Sequence, residues 1–209
     1  MRHRLPLMAL LSLQVLPACA RAQVNQPGAE ISLLPPGYGV LKQDFIMVRL
    51  RTGTLQIQVM PVDERLIRLL APDAYGPLHQ LLLSQRRVID SIASSRGVHD
   101  PGIALVSFHA LAPDTRFDPA VLTVSSRSRQ YRPIGFVPLT PTFSNQQLDV
   151  REQASGLFIY EQLLPIEEAF TVSYLDSSNE EWGQKLPRIE SERSRILGRI
   201  RTQTDTIKP

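Results

Sequence analysis

The chain has 209 residues, 43% of them hydrophobic, with 23 basic and 20 acidic side chains and a single cysteine. That apolar content supports one packed core of ordinary domain size. The lone cysteine and the net charge of only +3 weigh against disulfide-stapled, thiolate-dependent and polyanion-binding proteins.

Arg2, His3 and Arg4 form a short positive start, and Leu5 to Leu16 is an apolar run broken by Pro6, Ser12 and Gln14. Ala20-Arg21-Ala22 then offers a small-x-small site ahead of Gln23. This is the order of a secretory signal peptide, placed at residues 1–22. The run falls short of the ~20 apolar residues that span a bilayer, so no transmembrane helix is expected after processing. Cutting after Ala22 removes Arg2, Arg4 and Arg21 and leaves twenty bases against twenty acids. A neutral mature chain carries no electrostatic footprint for nucleic acid. Cleavage also removes Cys19 and with it every thiol. A competing reading rests on Leu16-Pro17-Ala18-Cys19, which resembles the bacterial lipoprotein box. It makes Cys19 a lipidation site and gives the chain a lipid anchor. Either route is expected to place the protein outside the cytoplasm, in the periplasm, at the outer membrane or secreted.

Residues 23–43 read as an extended leader, because Pro27, Pro35 and Pro36 bar helix and Gly28 and Gly37 add turns. A hairpin follows: Asp44 to Leu50, a turn at Arg51-Thr52-Gly53, then Thr54 to Met60, where Leu55, Ile57 and Val59 alternate with Gln56 and Gln58. Strict alternation marks a strand with one face on a core. Asp63 is placed to cap a short helix over Arg65 to Ala71, stopped by Pro72. A longer helix is expected from Pro77 in its first turn to Gly97, with Leu78, Leu81, Leu82, Val88, Ile89 and Ile92 on one stripe. From Gly102 the period returns to two. Six short strands are expected: Ile103 to Leu111, Val121 to Ser125, Tyr131 to Leu139, Leu148 to Glu152, Gly156 to Gln162 and Ala169 to Asp176. Strands at this spacing, punctuated by proline and glycine, predict an α+β protein built on an antiparallel β-sandwich of immunoglobulin-like type. Its globular domain is placed at residues 44–182, with helices over 63–96 and sandwich strands over 102–176.

Residues 183–209 are a basic C-terminal helix or tail, with a helix expected from Arg188 to about Thr202 after Pro187. Ile189, Ile196 and Ile200 form a narrow apolar stripe with Arg193 in its gap, and these four are the candidate partner-binding residues. Residues 149–181 hold eight acids and only Arg151, whereas residues 182–209 hold seven bases and three acids. The simplest consequence is that the tail docks on its own acidic segment, and a partner-binding tail is the sharper alternative.

Signals for chemistry are sparse. His79, His99 and His109 have no metal-ligand spacing, and no HExxH, GxSxG or phosphate-loop motif occurs. Gly37-Tyr38-Gly39 lacks the third glycine of a dinucleotide fingerprint. The pairs Glu167-Glu168 and Glu180-Glu181 read as solvated acids, and Asp114, Asp118 and Asp176 lack a calcium-loop pattern. Arg127, Arg129 and Arg132 around Tyr131 read as a solubilising loop. No catalytic, cofactor-binding or metal residue is therefore assigned, and no cofactor is expected. The leader, helical middle and proline-punctuated strands resemble, in style only, small envelope proteins of immunoglobulin-like type. The expected function is non-catalytic: a structural or binding protein of the bacterial envelope with a protein partner, as an accessory subunit of a larger assembly. One alternative is a hydrolase of an envelope polymer, which needs His109 to converge with Asp114 or Asp118. The other is a carbohydrate or small-ligand module, which needs Tyr131, Tyr160, Tyr174 and Trp182 on the surface.

Overall fold

The computed structural model describes residues 34–206; the signal region, Cys19 and the first part of the leader lie outside the described residues. Strand β1 (Val48–Arg51) and strand β2 (Leu55–Pro61) form the expected hairpin, pairing Val48 with Val59 and Arg51 with Gln56. Leu55, Ile57 and Val59 point into the core. Thr52 closes the turn: the Leu55 N–H donates to its hydroxyl at 3.0 Å, and its own N–H donates to the Leu55 carbonyl at 2.8 Å. The segment ahead of β1 differs from expectation, since Gln43–Ile46 is a single 3-10 turn.

Asp63 caps helix α1 (Glu64–Ile67), its carboxylate accepting the Arg65 N–H at 2.8 Å. Helix α2 (Pro72–Ser95) starts five residues earlier than the sequence suggests. Pro72 takes the first-turn position expected of Pro77, because a proline there loses no intrahelical bond; Pro77 sits inside the helix and forfeits one.

Strand β3 (Gly102–Ala110) alternates buried and half-buried residues along its whole length. After it come β4 (Thr115–Arg116), β5 (Thr123–Ser126), β6 (Arg129–Tyr131), β7 (Pro133–Pro138), helix α3 (Pro141–Asn145), β8 (Gln147–Leu148), β9 (Gln153–Tyr160), β10 (Thr171–Tyr174), β11 (Ser177–Asn179) and helix α4 (Trp182–Thr206). The strand expected over Leu148 to Glu152 reduces to Gln147–Leu148, because the chain turns at Arg151, whose φ is +67°. β9 then begins three residues before its expected start.

The named strands pair antiparallel throughout, in a five-stranded sheet of order β1-β2-β3-β9-β7, a four-stranded sheet β11-β10-β5-β6 and a small pair β4-β8. The chain is thus a mixed α+β protein. One core receives side chains from both larger sheets, including Val106, Phe108, Phe158 and Tyr160 from the first and Val124, Val172 and Tyr174 from the second. Phe108 stacks on Phe117 at 4.4 Å and meets Tyr174 at 6.0 Å between ring centroids.

Packing is continuous across the expected boundaries at 43–44 and 182–183. Leu34 and Leu41 are buried in this same core, and Leu41 exchanges backbone hydrogen bonds with Leu69 and Ala71. Helix α4 begins at Trp182 instead of Arg188, with Pro187 inside it. Trp182 fixes that start: it is fully buried, stacks on Phe170 at 4.7 Å and donates from Nε1 to the Ile166 carbonyl at 3.2 Å. Among the described residues, no helix is long and apolar enough to cross a membrane.

Candidate functional site

Strand pairing sorts the outer face of the five-stranded sheet into rows, since directly paired residues share a face. One row is Met60, Leu105, Leu157 and Val137. The next is Arg49, Gln58, Ser107 and Ser155, and the one beyond is Arg51, Gln56, His109 and Gln153. Chemistry therefore changes from apolar to polar across successive rows of one sheet face, with neutral or histidine side chains on β2, β3 and β9 and the charged Arg49 and Arg51 at the β1 edge. Helix α2 covers the apolar side, packing Leu81, Leu82, Ile89 and Ile92 on Ile103, Leu105, Val137, Leu157 and Ile159. Gly135 permits the close approach: a Cβ there would lie 2.5 Å from Ile92 Cγ2.

The polar rows border a cleft of about 320 Å³ lined by Gln43, Met47, Gln58, Met60, Leu105, Ser107, Leu139, Gln153 and Ser155. Its wall is pre-organised. The Ser107 and Ser155 hydroxyls are hydrogen-bonded to each other at 2.8 Å, and the Gln153 amide donates to Ser155 at 2.7 Å and to Ser107 at 3.2 Å. The Ser155 N–H donates to the Thr140 hydroxyl at 3.0 Å, tying the ladder to the loop after β7. Neutral hydroxyls and amides beside Met47, Met60, Leu105 and Leu139 suit an uncharged hydrogen-bonding ligand with an apolar flank. His109 stands one row away. Burial pushes its imidazole below the ordinary histidine value, and its Nε2 finds no hydrogen-bond partner among the described residues. Neither serine hydroxyl donates to an imidazole or a carboxylate among the described residues; their partners are each other and the Gln153 amide.

The groups required for the hydrolase alternative are engaged elsewhere. Asp114 accepts from the Gln147 amide at 3.1 Å, and Asp118 caps a 3-10 turn by accepting the Ala120 N–H at 2.8 Å. Neither hydrogen-bonds His109. The aromatic platform of the ligand-module alternative is also absent from its proposed residues, because Tyr131, Tyr160, Tyr174 and Trp182 are all buried. Among the described residues no group of three or more His, Cys, Asp or Glu side chains could hold a metal ion.

The four tail residues come together, and they face inward. Ile189 and Ile196 are buried, Ile200 packs on the core, and Arg193 is 8% exposed. The cover over this stripe includes the chain's own N-terminal segment. Glu192, also buried, accepts the Val40 N–H at 2.9 Å, and Arg195 donates to the Tyr38 carbonyl at 2.6 Å. Arg193 lies 3.8 Å from Glu167, which pairs the basic helix with the acidic segment as the charge pattern suggests.

A cluster that sequence reasoning missed joins α1 to α2. Glu64 sits 2.5 Å from His79 Nδ1 and accepts from Arg68 Nε at 2.8 Å, while Tyr75 stacks on His79 at 5.2 Å. Glu64 holds the Arg68 guanidinium above its ordinary value, and burial raises the Tyr75 phenol. The separation of fifteen residues gives no motif; only the packing of the two helices reveals it.

Compared with family models, curated proteins and solved structures, the chain matches none of them.

Proposed function

We propose that this is an exported, non-catalytic binding protein of the bacterial envelope, and that the uncovered polar half of the outer sheet face is its binding surface. We further read its two packed sheets as a sandwich of immunoglobulin-like type, on the strength of their antiparallel pairing and shared core. Export is supported by the charged, apolar and small-residue order of residues 2–22. The observation that carries the binding role is the Ser107–Ser155–Gln153 ladder. It is held in one geometry beside an apolar flank, while the neighbouring rows of the same face are covered by α2. Around the ladder such a surface offers neutral donors and acceptors, with Arg49 and Arg51 at its β1 edge, which fits a protein partner that presents backbone or amide groups. The protein partner would make this chain an accessory subunit of a larger assembly.

The test has two parts in the native host. Intact mass should show a chain starting at Gln23 or at an acylated Cys19; an uncleaved chain starting at Met1 would overturn export. A photo-crosslinking side chain at Gln58 should join one partner reproducibly, and adducts no different from those at exposed Arg87 on α2 would overturn the binding surface.

A further inference from the structure

We infer that a second site, between α4 and the segment before β10, binds a free α-amino acid with a small apolar side chain. It lies apart from the sheet-face groove and does not depend on it. Arg193 lines a cleft of about 280 Å³ together with Ile166, Glu167, Leu186, Pro187, Ile189 and Glu190. Its side chain is only 10% exposed. Nη1 donates to Glu190 Oε2 at 2.7 Å, but neither Nε nor Nη2 has a hydrogen-bond acceptor among the described residues. Glu167 Oε1 stands 3.8 Å from Nη2, close enough for charge and too far for a hydrogen bond.

Buried guanidinium donors are nearly always matched by acceptors, so an unmatched pair marks a place for one. Nε and Nη2 form one edge of the planar fork, whose two parallel N–H groups suit a carboxylate held through both oxygens. Glu167 also faces Arg65 Nη1 at 3.7 Å, and Arg65 holds Asp63 at 2.7 Å, so the surroundings carry three acids against two bases and a simple carboxylate would add a fourth negative charge. A ligand that carries an ammonium next to its carboxylate removes that conflict, because its cation meets the two glutamates while its anion meets Arg193. Ile166, Leu186, Pro187 and Ile189 supply the wall for an apolar side chain. Nε and Nη2 are themselves closed off from solvent, so the ligand must displace a lining acid to reach them, and Glu190, whose side chain is 63% exposed, is the one that gives way.

The probe is L-leucine, titrated into the purified full chain by calorimetry beside leucinamide, which lacks the carboxylate, and 4-methylpentanoate, which lacks the ammonium. Saturable binding of leucine is expected, weaker by about tenfold or more for each analogue. Arg193→Lys keeps the charge and removes the fork, so it should weaken leucine to a similar degree while native Trp182 fluorescence is retained. Should that variant fail to fold, the analogue comparison on the unaltered chain decides alone. The inference is overturned by no saturable heat with leucine up to roughly 10 mM, by analogues that bind as well as leucine, or by a folded Arg193→Lys that binds unchanged.

Discussion

Replacing Glu192 tests how the basic helix is fastened to the rest of the chain. Its carboxylate is 6% exposed and accepts three hydrogen bonds: the Val40 N–H at 2.9 Å, Arg195 Nε at 2.8 Å and Arg195 Nη2 at 2.6 Å. Removing one partner of a fully buried ion pair costs about 3–5 kcal/mol. Arg195 is itself 35% exposed, so water recovers part of that loss. Glu192→Ala should therefore destabilise by about 3 kcal/mol, and Glu192→Gln, which still accepts from Val40, by about 2 kcal/mol. At about 2–4 °C per kcal/mol for a chain of this size, the second change lowers Tm by roughly 4–8 °C. The assay is urea unfolding followed by fluorescence of the single, buried tryptophan. Arg195 and the Val40 N–H hold the Glu192 carboxyl below its usual range. The unfolded chain takes that proton first, so the contribution is complete above about pH 4.5 and is lost as pH falls through the depressed folded value. Stability of the parent should accordingly drop more steeply in acid than that of Glu192→Gln. Losses under ~0.5 kcal/mol for both variants, with parallel acid profiles, would refute the reasoning.

Gly135→Ala should push α2 off the outer sheet face, since the new methyl meets Ile92 at 2.5 Å. A loss of about 1–3 kcal/mol is expected in the same unfolding assay, largely restored by adding Ile92→Ala; no rescue would mean that the helix is not held there. The imidazole of His109 should titrate by NMR below the ordinary value of about 6.5, and stability should fall as pH drops below that point, because the unfolded chain protonates first. A midpoint at or above that value would contradict its burial on the sheet.

Much of the fold was legible where residues obey a local rule. The alternation of Leu55, Ile57 and Val59 gave the hairpin, and Asp63 announced α1 because an N-cap acts within three residues. Elements fixed by distant partners were not legible. Strands β4 and β8 are two residues each and exist through Thr115 pairing with Leu148. Helix α3 is anchored by buried Phe143, which packs on Phe136 and Phe158, and Gly156 leaves it room. The narrow stripe and basic charge of α4 suggested docking on the acidic segment, yet Tyr38 and Val40 also fasten the helix from more than a hundred residues away.

The site was less legible still. Ser107 and Ser155 are 48 positions apart, and only the pairing of β3 with β9 brings their hydroxyls together. In the sequence each is one polar residue in an alternating strand, which reads as an ordinary outward-facing position. What distinguishes them is that α2 covers the rows on one side and not theirs, where Ser107 is half-buried and Ser155 buried beside the cleft.

The most direct measurement of the central claim is therefore site-specific crosslinking in the native host, with the photoreactive side chain at Gln58 on the open rows and, as control, at Arg87 on α2. The account predicts one dominant adduct from Gln58 that disappears when Ser107 and Ser155 are both replaced by arginine while Trp182 fluorescence shows the chain still folded. Equal or absent adducts at the two positions would contradict it.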